Sequence, residues 1–250
     1  MARDVVTAAI LVIGDEILSG RTRDVNVGYI ADYLTRMGID VREARMIPDV
    51  EGEIVDALDA VRERYDYVFT TGGIGPTHDD ITADSVARAF GVAISVNDEA
   101  VAMLKERYGG DTELNEARLR MARIPHGASL VRNKVSSAPG FRIGNVFVMA
   151  GVPKIMQAML DEIAPTLEGG RPLRSRTVAV DLKEGDVAGP LRAVQERFPE
   201  TMIGSYPFFE DTGRFGTRIV VRARDEALLE EAEAAVKAMA DDLAGAGDAA

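Results

Sequence analysis

Tyr65-Asp66-Tyr67-Val68-Phe69-Thr70-Thr71 runs directly into Gly72-Gly73-Ile74-Gly75-Pro76-Thr77-His78-Asp79-Asp80-Ile81-Thr82, and this junction decides the fold. The first seven residues are rich in β-branched and aromatic side chains and read as a buried strand. Thr82-Ala83-Asp84-Ser85 reads as a helix start, so the glycines form a turn at the carboxyl end of a strand. Glycine permits positive φ and lets backbone N–H groups face a ligand, and the following helix N-terminus adds partial positive charge. An anion suits such a turn. Asp79, Asp80 and Asp84 would repel a phosphate, and a hard divalent cation such as Mg²⁺ bridging carboxylate and phosphate oxygens reconciles the two halves.

Outward from this junction, strand and helix patterns alternate. Ala8 to Ile13 is a continuous apolar strand ending in Gly14-Asp15-Glu16. Val27, Ile30, Leu34 and Met37 recur at helical spacing, with Gly38 as the stop. A strand from Ile39 to Met46 leads through Pro48 to a helix carrying Ile54, Leu58 and Val61 on one face. Helices are expected from Asp84 to Phe90, from Asn97-Asp98-Glu99 onward and from Asn115 to Arg123, each with a capping residue near its start. Val146 to Met149 reads as another buried strand, followed by Gly151-Val152-Pro153 and a helix from Lys154 to Leu167. Such alternation predicts βαβ units, a mostly parallel sheet, and a site in the crevice at the carboxyl ends of the strands.

Glu168-Gly169-Gly170-Arg171-Pro172 is the expected linker. Beyond it the rhythm becomes strand 176–182, helix 187–198, strand 201–206, strand 218–224 and amphipathic helix 226–243, a small α+β unit of βαββα order. The predicted domains are therefore 5–167 and 173–245, with a frayed tail from Ala244 to Ala250.

The 250 residues carry a net charge of −12, 46% hydrophobic content and no cysteine. That balance gives ample core, excludes disulfides and thiolate chemistry, and disfavours binding to nucleic acid or acidic membranes through phosphate neutralisation. No apolar run reaches membrane-spanning length, and the acid near the N-terminus argues against a secretory signal, so the expected location is cytoplasmic.

Strand ends supply the remaining candidates. Asp15, Glu16, Asp24 and Asn26 follow the first strand and can meet the Gly72 to Gly75 loop. For the three acids, helix capping or a solvated loop is as good a reading as ligation. Asn133-Lys134-Val135-Ser136-Ser137-Ala138-Pro139-Gly140 combines small residues with a Pro-Gly turn that admits a flat or phosphorylated ligand. Lys134 is a possible phosphate partner, and Gly151 and Pro153 again precede a helix with free N–H groups. His78 and His126 do not resemble a catalytic pair, and His126 is given no role.

These motifs taken together, Gly14-Asp15-Glu16-Ile17-Leu18-Ser19-Gly20 with Asp24 and Asn26, Thr71 to Thr77 with Asp79-Asp80-Ile81-Thr82, Ala138-Pro139-Gly140, and Gly151-Val152-Pro153, resemble the molybdopterin-binding MoaB/Mog domain family. Within it, the similarity is to the N-terminal part of competence/damage-inducible protein A. The resemblance implies a three-layer α/β/α domain, a homo-oligomer, a glycine loop that binds a pterin or nucleotide phosphate, and Asp80 at a divalent metal. Together with the strand-end readings above, this makes the ligand set Thr71, Gly72, Gly73, Gly75, Thr77, Thr82, Asn26, Lys134, Ser137, Pro139, Gly140, Gly151 and Pro153. The metal set is Asp80, Glu16 and Asp24, and the catalytic set is Asp80, Asp79 and Asp15. The second unit also resembles that branch through Ile203-Gly204-Ser205-Tyr206-Pro207 and Gly213-Arg214-Phe215-Gly216-Thr217-Arg218, and a similar unit precedes the synthetase part of eukaryotic FAD synthases. The chain departs from the family pattern at Ala150, at Ile155 in place of a glutamate, and at Ser136 in place of glycine.

The resemblance implies a metal-dependent pyrophosphatase acting on ADP-ribose or FAD-like dinucleotides. The alternatives are a molybdopterin-binding protein or adenylyltransferase, with molybdopterin as ligand, and a module that binds without turnover. A nucleic-acid role would rest on Gly213-Arg214-Phe215-Gly216, but a glycine pair following Glu210-Asp211 and preceding a strand reads as a hairpin turn.

Overall fold

A computed structural model describes residues 3–108 and 114–247, which divide into two compact units after Gly170. In the first, the apolar runs form strands β1 (Val6–Ile13), β2 (Ile39–Ile47), β3 (Tyr67–Thr71) and β8 (Val146–Met149). Side chains alternate across a strand. Ala9, Leu11 and Ile13 of β1 therefore enter one core, and Ala8, Ile10 and Val12 enter the other. Helix α3 (Glu51–Arg62) covers the first face with Ile54, Leu58 and Val61, joined by α4 (Thr82–Ala89) and α5 (Asp98–Tyr108) through Val86, Ala100 and Leu104. The opposite face is covered by α2 (Asn26–Arg36), through Ile30 and Leu34, and by α7 (Pro153–Ile163), through Met156, Met159 and Leu160. The result is three layers, α/β/α, as the family resemblance implies.

Strands β2, β1, β3 and β8 lie side by side in that order and run parallel. Alternation of strand and helix does not persist throughout. Gly140–Ile143 is strand β7, joined to β8 as an antiparallel hairpin whose turn uses Gly144 at φ 57°, and Ser129–Val131 is β6, antiparallel to β7. A separate two-stranded ribbon pairs β4 (Ile94–Val96) with β5 (Arg123–Pro125). The helix expected over 115–123 is only α6 (Glu116–Arg120), capped by the Asn115 side chain, because Arg123 and Ile124 pair with Val96 and Ser95. One short helix, α1 (Asp15–Leu18), follows β1 directly.

The expected linker begins inside the first unit. Glu168 N donates to the Tyr67 hydroxyl at 3.0 Å, and Gly170 N donates to Gly38 O at 3.1 Å. The second unit has β9 (Arg174–Val180), α8 (Glu184–Arg197), β10 (Met202–Phe209), β11 (Phe215–Ala223) and α9 (Glu226–Gly247). Its antiparallel sheet runs β10-β11-β9, and both helices pack on one face around Leu191, Val194, Leu229 and Val236. Helix α9 continues through Ala244 to Gly247 where a frayed tail was expected, and residues 248–250 lie outside the described residues. Among the described residues no helix is long and apolar enough to cross a membrane.

Candidate functional site

The glycine loop is fixed by its neighbours before any ligand is considered. Gly72 has φ 102° and its N–H donates to Met149 O at 3.1 Å, so the loop starts between the carboxyl ends of β1 and β8. A Cβ at Gly72 would collide with Ile13 O, and one at Gly73, at φ 65°, would collide with Thr82 Oγ1. Only glycine fits both the dihedral and the space. Thr82, fully buried, ties the loop from the far side. Its N–H donates to Gly73 O and its Oγ1 to Gly72 O, each at 3.0 Å. Among the described residues no protein acceptor takes the N–H groups of Gly73, Ile74 and Gly75. These are the donors an anion would use.

Asp80 folds back over the loop. Its Oδ2 accepts from Thr77 N at 2.8 Å and Thr77 Oγ1 at 2.6 Å, and a Cβ at Gly75 would stand 2.6 Å from the same oxygen. One carboxylate oxygen is thus committed to the turn, leaving Oδ1 for other work. Thr77 therefore positions Asp80, and Thr82 positions the glycines. Asp84 is neutralised within the protein. Its two oxygens accept from Arg123 at 2.6 and 3.0 Å.

Acids from the other strand ends gather beside the loop. Asp15 N donates to Asp49 Oδ2 at 2.9 Å, and Asp49 Oδ1 stands 3.5 Å from where a Gly73 Cβ would be. Burial pushes the Asp49 carboxyl up, and the charges of Asp15, Glu16 and Asp79 add to that against the Asp15 hydrogen bond. Sequence reasoning missed Asp49. Its place after Pro48, at the carboxyl end of a parallel strand, was the available signal. Arg120 was missed as well, and its Nη2 donates to Asp80 O at 3.0 Å.

A cleft of about 490 Å³ opens against the loop, lined by Gly72 to Gly75, Glu16, Asp80, Gly151 and Pro153. Ser136, Ala150 and Ile155, the three departures from the family pattern, line the same cleft. Asn26 is 5% exposed; its Nδ2 holds Gly151 O at 2.8 Å, and its Oδ1 has no partner among the described residues. Asp24 Oδ1 accepts from Val27 N at 2.9 Å, capping the start of α2.

Other predicted residues lie elsewhere. Lys134 and Ser137 line a separate cavity of about 590 Å³ with Glu106, Asp161 and Glu162. Pro139 borders a small chamber behind the loop. Gly140 serves the sheet, since a Cβ there would collide with Val148 O. Thr71 is buried and its Oγ1 is unpartnered among the described residues. His126 bonds Ser95 Oγ at 2.9 Å, away from the loop residues.

Residues 9–169 match the family described as a probable molybdopterin binding domain. The chain belongs to that family. Residues 172–244 match the middle domain of FAD synthase. A protein from Pyrobaculum arsenaticum is 35% identical over 248 residues, covering 94% of this chain and 92% of its own. A protein named probable FAD synthase from Caenorhabditis elegans is 34% identical over 264 residues, covering 96% of this chain and 50% of its own, so this chain spans about half of that relative. Among solved structures, CinA from Thermoplasma acidophilum, of unknown function, has 35% identity and a TM-score of 0.61, covering 65% of this chain and 98% of its own. Within the molybdopterin-binding family, this chain thus combines a CinA-type domain with an FAD synthase middle domain.

Proposed function

We propose that the glycine-loop cleft binds a phosphorylated pterin or dinucleotide and, with a divalent cation, hydrolyses the pyrophosphate bond of ADP-ribose- or FAD-like substrates. The observation that carries this reading is the convergence of the unbonded Gly73, Ile74 and Gly75 N–H groups with Asp80 at the strand ends, beside a cleft large enough for a flat ring system. Among the described residues no three acidic or histidine side chains are grouped to hold a metal by themselves. The donor set suits Mg²⁺ of the kind bound by one or two carboxylates plus substrate phosphate, and not an all-protein cage. Asp80 Oδ1 and Glu16 are the candidates on the cleft wall, whereas Asp24 is engaged at the helix start. Held there, such a cation would neutralise phosphoryl charge.

The protein's own part is positioning. Loop N–H groups hold phosphate oxygens, the Thr77 bonds fix the Asp80 carboxylate, and exposed Asp79 or Asp15 orients the attacking water. The apolar wall around Ala150, Ile155 and Met159 receives the ring. A second reading, binding without turnover, is favoured by one observation: Ile155 lines the cleft with no carboxylate to hold water on that side. Incubating the protein with ADP-ribose, FAD, NAD and ATP in the presence of Mg²⁺, Mn²⁺ or Co²⁺, and following AMP by mass spectrometry, separates the two. AMP release supports hydrolysis. Retention of an intact ligand supports the binding module, and neither result sinks the cleft assignment.

A further inference from the structure

Arg120 puts its guanidinium behind the glycine loop. Nη2 is engaged by Asp80 O, while Nε is enclosed and has no acceptor among the described residues. Arg120 lines a chamber of about 10 Å³, the room one oxygen-sized atom requires, whose polar wall includes Gly73, Gly75, Asp80, Asp84 and Arg123. Gly73, Gly75 and Asp80 also line the ligand cleft. Arg123 is neutralised by its two bonds to Asp84, whereas Arg120 bonds no carboxylate among the described residues and its charge only helps hold Asp79 low. Asp15, Glu16 and Asp79 bear on Asp49 beside the loop, and among these acids Arg120 is tied to Asp80 through its backbone oxygen and to Asp79 through its charge.

An enclosed donor without an acceptor is costly, and a guanidinium is the side chain best shaped to give paired hydrogen bonds to phosphoryl oxygens. Resting on the reading of the cleft as a phosphate site, we infer that Arg120 is an anion-binding side chain of that site. Its Nε–H takes one phosphoryl oxygen while Nη2 holds the Asp80 turn, so the loop keeps affinity for an anion when no cation is present. The ligand class is a diphosphate, free or within a dinucleotide. Arg120 contributes charge and a fork of donors, and the glycine N–H groups contribute dipoles.

The test is calorimetric titration of inorganic pyrophosphate into the full chain in EDTA at low salt, comparing the parent with Arg120→Gln, Arg120→Lys and, as a distant charge control, Arg142→Gln. Arg120→Gln is expected to weaken binding at least about tenfold and flatten its salt dependence, with Arg142→Gln within about twofold of the parent. Arg120→Lys keeps the charge but loses the fork and is expected a few-fold weaker than the parent, which serves if the glutamine variant fails to fold. Pyrophosphate bound equally by the parent and both Arg120 variants would overturn this inference alone. A parent that binds no pyrophosphate, with or without Mg²⁺, overturns the phosphate site and Arg120 with it.

Discussion

Two glycine turns in this chain have similar sequence density and opposite surroundings. Gly72-Gly73-Ile74-Gly75 is crowded by Ile13 O, Thr82 and Asp80, and its first two residues hold positive φ inside that crowd. Gly213, at φ 84°, sits in the β10–β11 hairpin with nothing within 4 Å of an added Cβ; Glu210 N bonds Arg214 O, and Gly213 N bonds Glu210 O. Both turns need glycine for the dihedral. Only the first also needs the missing side chain, because backbone from β1 and side chains from the following turn close on it. Positive φ alone marks a turn; at Gly72 and Gly73 it is joined by packed neighbours and by the free N–H groups of Gly73 to Gly75, and that combination suits an anion.

The largest expected effect removes the charge that the loop presents. Asp80→Asn keeps the Thr77 bonds in shape but withdraws the carboxylate from the cation, so metal-dependent release of AMP is expected to fall by orders of magnitude, several kcal/mol of barrier. Pyrophosphate affinity in EDTA is expected to hold or rise. Single-turnover rates as fast as the parent's would remove Asp80 from the metal. Gly73→Val comes next, since a β-branched side chain can neither take φ 65° nor avoid Thr82. Loss of about 2–4 kcal/mol of stability is expected in urea melts, together with loss of anion binding with and without metal. A valine variant that bound normally would show that crowding at Gly73 has no bearing on the ligand.

How much of this was legible in the sequence follows from distance along the chain. Ala8 to Ile13 and Val146 to Met149 were readable because strands buried on both faces are apolar throughout. The three-residue strands β4, β5 and β6 were not, since pairing alone defines them and Arg123 and Ser129 carry no strand signal. The loop and Asp80 are contiguous and announced themselves. Arg120 lies 40 residues from Asp80, and Asp49 lies 34 from Asp15; singly, each looks like a solvated surface charge. Gly140 was read as a ligand contact because Pro-Gly suggests an open turn, yet its neighbour is the carbonyl of a paired strand.

Gly140 therefore gives an intermediate case. Its φ is ordinary, but an added methyl would meet Val148 O and stand 3.2 Å from Met159 Sδ. Gly140→Ala is expected to cost about 1–3 kcal/mol by overpacking the β7–β8 hairpin, with ligand affinity of the folded fraction unchanged. Calorimetric titration at a temperature where the variant is folded checks it. A selective loss of affinity would return Gly140 to the site.

The smallest effect is expected at the hairpin. Gly213→Ala places a methyl in open space, so the only cost is the left-handed dihedral, about 1 kcal/mol against an alanine that prefers negative φ. Gly213→Asn should recover most of that, because asparagine tolerates the left-handed region. Neither change should alter pyrophosphate binding, since no group of the hairpin is among those assigned to the ligand. Urea melts of the two variants beside Gly73→Val measure the difference between a turn that needs only a dihedral and one that also needs empty space. If Gly213→Ala proved as damaging as Gly73→Val, or cost ligand affinity, crowding would cease to distinguish the two turns and the glycine loop would lose its claim as the built site.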